Sequence, residues 1–291
     1  MKKETKTQKK TVHVLGHNSD DTEQRLIKAK KDFTLKYSNY TTLIETDKFK
    51  YIFSNSDESN SFAFFHAYKK IAEDVQKAPY IDEINERDLI YFDSAKELSN
   101  GLKLRNAYNV DIKSAYIRTA YLYEFISKST YDYCMKLPKS DRLKAFGMLA
   151  TNYTCFDYKN GEIEKVYSKT DEDKRKYFFA VVKGVSEVMQ IIKKELSDDF
   201  LFYWVDGIYF KTKKSAQMAE QLFKKNGYEV SFDLLKNFCL LANEFRYTIS
   251  FGKKSEKKVF TVPRIQKNEN VLIKKNAKIN DFNRKNNLKT G

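Results

Sequence analysis

Hydrophobic and polar positions mix in short β-like runs, rich in aromatic and β-branched residues, at 40–44 (YTTLI) and 49–53 (FKYIF), and the turn-rich stretch 54–61 (SNSDESNS) follows. From 61 to about 77 the spacing turns helical, with Phe62, Phe65, Tyr68, Ile71, Ala72 and Val75 on one face and Pro79 ending it. Strand-like runs at 89–92 and 104–112 flank the turn Ser99-Asn100-Gly101. Helical patterns come next at 114–127, at 130–137, which continues or pairs with the first, and beyond Pro138 at 139–152. Residues 153–168 predict a β-hairpin around Asn160-Gly161. Thr170 with Asp171, Glu172 and Asp173 starts a helix reaching about residue 196, with Val181, Val182, Val185, Val188, Ile191 and Ile192 as its apolar face. A strand at 200–211, a helix at 215–225, a turn at Asn226-Gly227 and a mostly β-like region at 228–251 follow. Residues 252–258 (GKKSEKK) read as a basic turn and 259–262 as its return strand. The first 22 residues and those from about 266 onward are polar and basic, and read as flexible or weakly ordered.

Strands and helices are mixed without regular βαβ alternation, so the expected class is α+β. There is no internal repeat and no G-x-G-x-x-G or Walker A sequence, so the standard glycine-rich phosphate loops are absent. With 291 residues and 41% apolar content the chain is long enough to bury a real core. No apolar run approaches the roughly 20 residues a membrane span needs, and the basic N-terminus lacks the apolar segment of a signal peptide. A soluble, cytoplasmic protein is expected. The net charge of +15 points to a polyanionic partner, of which nucleic acid is the commonest. Aromatic residues reach 15%; some offer stacking platforms for bases, although most belong to the core. Cys134, Cys155 and Cys239 are far apart and suggest neither a zinc site nor a disulfide framework. His13 and His17 have no cysteine or carboxylate cluster beside them, and His66 falls in an apolar helical stretch, so none reads as a ligand.

Chemistry concentrates in two stretches, 109–118 (NVDIKSAYIR) and 200–211 (FLFYWVDGIYFK), each an apolar run carrying one aspartate, Asp111 or Asp206. An Asp beside a Gly is ordinarily just a turn. A carboxylate in apolar surroundings, however, needs a cation or partner to stabilise it. Phosphoryl transfer needs charge neutralised on the attacking and leaving oxygens, and two carboxylates on neighbouring strands are a minimal set for holding the metals that do this.

Three motifs occur in order around these aspartates. Residues 110–117 (VDIKSAYI) place Asp111, Ser114 and Tyr116 in the register of D-x-x-S-L-Y-P, with Ala115 for the usual leucine and Ile117 for the usual proline. Residues 139–152 (KSDRLKAFGMLATN) match K-x₃-N-S-x-Y-G at Lys139 and Gly147, with Phe146 for tyrosine and Leu143-Lys144 for Asn-Ser. Residues 204–210 (WVDGIYF) match D-T-D-S-I-Y with Asp206 on the second aspartate, Trp204 on the first and Gly207 on the serine. Together they resemble motifs A, B and C of the family B DNA polymerase palm, most closely its protein-primed phage branch. The resemblance spans 104–260, about half of the chain.

The resemblance implies a nucleotidyltransferase: a small DNA-directed DNA polymerase using two Mg²⁺ ions, with Mn²⁺ as a substitute. Asp111 and Asp206 would be the catalytic metal ligands, with Ile112 beside them as a further metal contact. Ser114, Ala115, Tyr116, Lys139, Arg142, Phe146 and Gly147 would form the nucleotide pocket. Of these, Lys139 and Arg142 would bind the triphosphate, Tyr116 would sit under the sugar and Phe146 against the nascent base pair. Lys139 and Phe146 lie about 20° from coincident on one helix face, and Arg142 lies near it while Lys144 does not. Arg246 and Tyr247 match the end of the family's K-x-Y segment, and with Lys253, Lys254, Lys257 and Lys258 would hold primer-template DNA.

The residues before Asp111 are too few for the family's exonuclease, the Y-x-G-G sequence is missing, and the Asp111–Lys139 interval cannot contain the terminal-protein insertion. The expected enzyme therefore does not proofread and has poor processivity. The expected layout is a flexible basic tail at 1–22 and an N-terminal α+β region at 23–103. A palm follows from 104–113 and 153–250, an antiparallel sheet backed by helices. Minimal fingers occupy 114–152, and a small thumb with a basic tail occupies 251–291. Substrates would be dNTPs, with a replication or priming protein as a further partner, no membrane, and a phage or mobile element as a fitting source. Two alternatives stay open: a primase or terminal-transferase-like enzyme on the same palm, and an inactive palm that binds nucleic acid or a replication partner. A basic α+β binding module without polymerase ancestry is a third.

Overall fold

The computed structural model describes residues 10–14, 19–55, 63–85, 89–95, 102–241, 244–251, 254–261 and 278–279. Its strands are β1 Lys10–Val14, β2 Phe33–Tyr37, β3 Thr41–Glu45, β4 Phe49–Ser54, β5 Phe92–Ser94, β6 Leu102–Ile112, β7 Asn152–Lys159, β8 Glu162–Thr170, β9 Phe200–Trp204, β10 Gly207–Phe210, β11 Val230–Leu241, β12 Glu244–Phe251 and β13 Lys254–Thr261. Its helices are α1 Ser19–Lys28, α2 Ala63–Val75, α3 Ala115–Leu122, α4 Lys128–Met135, α5 Lys139–Gly147, α6 Glu172–Glu195 and α7 Lys213–Lys225. The fold is α+β, with two sheets whose neighbouring strands are antiparallel except for β1 beside β4. No helix among the described residues is long and apolar enough to cross a membrane. The chain divides into two compact units, one from 1–69, 147–175 and 266–291 and the other from 70–146 and 176–265.

The first unit is a six-stranded sheet in the order β1-β4-β3-β2-β7-β8. Alternation in β2 buries Phe33, Leu35 and Tyr37, which meet Ile44, Phe53, Phe156 and Tyr158 in one core. Phe33 stacks on Tyr158 with ring centroids 4.2 Å apart. The Asn160-Gly161 turn forms as its sequence predicts, with φ of 51° and 80°, the paired positive values of a type I′ turn. Two expectations change here. Residues 10–14 and 19–22, read as part of a flexible tail, form β1 and the first turn of α1. The 153–168 hairpin, read as palm, is β7–β8 and pairs with β2, because its buried Phe156 and Tyr158 complete the β2 core.

The second unit is a seven-stranded sheet in the order β13-β12-β11-β6-β10-β9-β5, with β6 at its centre. One face carries Val110, Ile112, Ile208 and Phe210 and is closed by Val185, Met189 and Ile192 of α6 and by Ala216, Ala219 and Phe223 of α7. The i, i+3, i+4 spacing of those helical residues gives each helix the stripe that seats it on the sheet. Thr212 caps α7 by accepting from Ser215 N at 3.2 Å. The other face holds a second core of Ala107, Phe202, Tyr209, Leu235, Phe238 and Leu240, with Trp204, Tyr247, Ile249 and Phe260 packed against it.

Trp204 on β9 and Phe260 on β13 stand five strands apart in the order, yet their rings meet at 6.0 Å. A flat sheet would separate them by roughly 24 Å. The sheet therefore curls around this second core, bringing β13 back over β9.

Several predicted boundaries shift. The single strand at 200–211 is the hairpin β9–β10 around Val205-Asp206. The 114–137 stretch is two helices because Ser127 caps a new one, accepting from Thr130 N. The 139–152 helix ends at Gly147 and gives way to a 3₁₀ turn at Met148–Ala150. Residues 254–258, read as turn, lie in β13, so 254–261 of the expected thumb form an edge strand of the sheet.

Candidate active site

Asp111 lies near the end of the central strand. Alternation along β6 sends Val110 and Ile112 into the helix-side core and leaves Asn109 and Asp111 on the opposite face. On β10, Gly207 stands opposite Asp111 and Tyr209 opposite Asn109; on β11, Ser231 and Asp233 take the corresponding places. A Cβ on Gly207 would lie 3.3 Å from Asp111 Oδ2 and 3.3 Å from Asn109 Oδ1, so any larger residue there would crowd both oxygens. Asp206 occupies the β9–β10 turn. Its carbonyl accepts from Ile112 N at 2.8 Å, and Val205 N donates to Tyr91 O at 2.8 Å, which fixes the turn from both sides.

Two strained residues bracket the pair. Val205 has φ 57° and Ser114 has φ 55°. A β-branched residue in the left-handed region is a true outlier, costing about 1–3 kcal/mol, and it persists only where the surroundings impose it. Here the strain at Val205 delivers Asp206, and that at Ser114 turns the chain sharply from β6 into α3.

Both carboxylates hold their protons more tightly than usual. Burial pushes Asp111 up to about 7, the Asp206 and Asp233 charges add to this, and Lys139 opposes it. Burial also raises Asp206 above the ordinary carboxylate range, again against the pull of Lys139. Asp233 is raised by burial. Such a site is short of positive charge. Among the described residues no three His, Cys, Asp or Glu side chains cluster closely enough to form a metal set by themselves.

Ser114, Ala115, Tyr116, Lys139 and Arg142 line one small cavity with Ile117, Leu143 and Asp206, so five of the seven residues expected around a nucleotide converge there. Lys139 is the first residue of α5 and is exposed, free to reach a ligand. Arg142 is partly engaged: its Nη1 donates to Leu137 O at 2.6 Å, while its Nε is buried without a partner. Phe146, expected against a base pair, is fully buried and packs on Tyr116 at 6.0 Å and Phe178 at 5.7 Å, behind the cavity wall. Gly147 does not line the cavity; a Cβ there would fall 2.5 Å from Tyr40 Oη, so close packing explains that glycine.

Tyr247 lies on the aspartate side of the sheet, stacked on Phe260 at 5.9 Å, and burial with the Asp233 and Asp111 charges raises it to about 12. Arg246 pairs opposite Cys239 and alternates to the other face. Lys253 lies outside the described residues, and Lys254 begins β13. Lys257 is exposed, and Lys258 pairs with Glu256 at 2.9 Å. The three cysteines are free and buried. Sequence reading passed over Asn109 and Asp233. The signal that finds them is the pairing of SFDLL in β11 with AYNVD in β6, which requires knowing that these strands are neighbours. No protein-family model matches this chain, and no curated protein does.

Proposed function

We propose that this protein is a nucleotidyltransferase built on a reduced palm resembling that of family B DNA polymerases. The observation that carries the reading is the meeting of Asp111 and Asp206 where the central strand β6 abuts the β9–β10 turn, beside a cavity that Lys139 lines. The donor set fits a hard divalent cation: two charge-starved carboxylates, a buried amide oxygen without a partner at Asn109, and a space above Gly207 that a Cβ would fill. Bound there, Mg²⁺ or Mn²⁺ would supply the charge neutralisation that phosphoryl transfer requires. Asp111 and Asp206 would hold it, with the Ile112 carbonyl close by.

The chain's other residues would bind and orient. Lys139 would take the triphosphate, and Arg142 would support it from the same cavity. Tyr116, braced from behind by Phe146 and Phe178, would set the height of the sugar. Ser114 and Ala115 would present backbone at the cavity floor. Lys257 and Lys258 on the edge strand, and the wider positive charge, would hold a nucleic-acid backbone.

The test is incorporation of dNTPs and rNTPs with Mg²⁺ or Mn²⁺, with and without primer and template, using Asp111→Ala and Asp206→Ala as controls. Primer- and template-dependent extension that both substitutions abolish is expected. Extension without a primer would assign the protein to priming, and addition without a template to terminal transfer. Incorporation that survives both substitutions overturns the reading. A second reading, a palm that only binds nucleic acid, is favoured by the burial of Phe146 and the engagement of Arg142 with Leu137 O. Salt-sensitive DNA binding without incorporation would support it.

A further inference from the structure

The resemblance places a third carboxylate where this chain has Trp204, and Trp204 is turned to packing against Phe260. The oxygen that would take its place lies on a different strand. Asn109, two residues before Asp111 on β6, is 8% exposed, and its Oδ1 is buried without a hydrogen-bond partner. An unsatisfied buried amide oxygen is ordinarily destabilising. It stands at the same 3.3 Å from the missing Gly207 Cβ as Asp111 Oδ2, so the two oxygens face one point beside Gly207. Tyr209, opposite Asn109, has its ring 3.6 Å from the same point.

We infer that Asn109 Oδ1 is an oxygen ligand of a divalent cation held by Asp111 and Asp206, standing in for the carboxylate absent at Trp204. The inference rests on the proposed reading of the two aspartates as cation ligands. An amide suits the position for an electrostatic reason. Asp111 already feels Asp206 and Asp233, and a further negative charge beside it would add repulsion that only a bound cation relieves. An amide contributes oxygen without charge, as hard cations accept.

Mn²⁺ serves as the probe. Its binding to the full chain is measured by electron paramagnetic resonance, and electron–nuclear double resonance is recorded on protein labelled with ¹³C at the asparagine side-chain carbonyl. Wild type is expected to bind Mn²⁺ and show a coupled ¹³C, a readout that needs no variant. Asn109→Ala should lose that coupling and weaken binding about 10-fold or more. Asn109→Asp, which keeps an oxygen and adds charge, should bind at least as tightly as wild type. Circular dichroism checks that both variants fold. If Asp111→Asn and Asp206→Asn abolish Mn²⁺ binding while wild type shows no coupled ¹³C, Asn109 is not a ligand and the aspartate reading stands. If neither aspartate substitution changes Mn²⁺ binding, the reading and the inference fall together.

Discussion

Gly207 is the residue on which the candidate site turns, because its missing side chain is what leaves Asp111 and Asn109 their space. Gly207→Ala is expected to lower divalent-ion affinity about 10–100-fold while leaving the fold intact, since the new methyl meets side-chain oxygens and not backbone. Titration calorimetry with Mn²⁺ and a thermal melt check the two halves of that statement. Away from the site, Glu45 in β3 offers a pH test. Burial alone would raise its carboxyl, but the hydrogen bond from Lys36 at 2.7 Å and the Lys50 charge outweigh burial and hold it at about 2. A carboxyl depressed by folding adds stability that is fully present above its unfolded value and lost as pH falls through the folded one. Glu45→Gln is therefore expected to cost about 1 kcal/mol at pH 7. That difference should shrink below the unfolded carboxyl value and vanish near pH 2. Melts from pH 2 to pH 7 follow it. Asp111 and Asp206 were legible from sequence because each interrupts an apolar run. Asn109 was not, since a lone Asn in a strand gives no local sign that its amide lacks a partner.

At the scale of elements, the Trp204–Phe260 contact joins strands that are distant in the sheet order and sets the curl of the second sheet. Trp204→Ala removes one side of that contact and a large half-buried surface. It is expected to cost about 2–3 kcal/mol in denaturant unfolding and to increase protease cleavage in β12–β13. Unchanged cleavage would mean that β13 is held by its pairing with β12 alone. Elements fixed by local chemistry were readable in advance: the Asn160-Gly161 turn, and the acidic start and apolar stripe of α6. The allotment of β7–β8 was not. The hairpin is local, but its choice of β2 as neighbour depends on Phe33, Leu35 and Tyr37, more than a hundred residues earlier. The curl was equally hidden, because no strand records in its own sequence which distant ring it will meet.

For the whole molecule, the net charge of +15 makes association with a polyanion strongly salt-dependent. Each phosphate contact contributes about −0.9 to the slope of log K against log salt on duplex DNA. Lys257→Ala is expected to reduce that slope by about 1 and to weaken binding evenly across sequences. Lys258→Ala should do less, since Lys258 shares its charge with Glu256. Fluorescence anisotropy over a range of salt concentrations measures both. Primer extension with Mn²⁺ tests whether Asp111 and Asp206 together perform phosphoryl transfer. Template-dependent extension by wild type is expected, and none by either Asp111→Ala or Asp206→Ala, with both variants folded and still binding DNA. Extension by either variant at the wild-type rate would contradict that role.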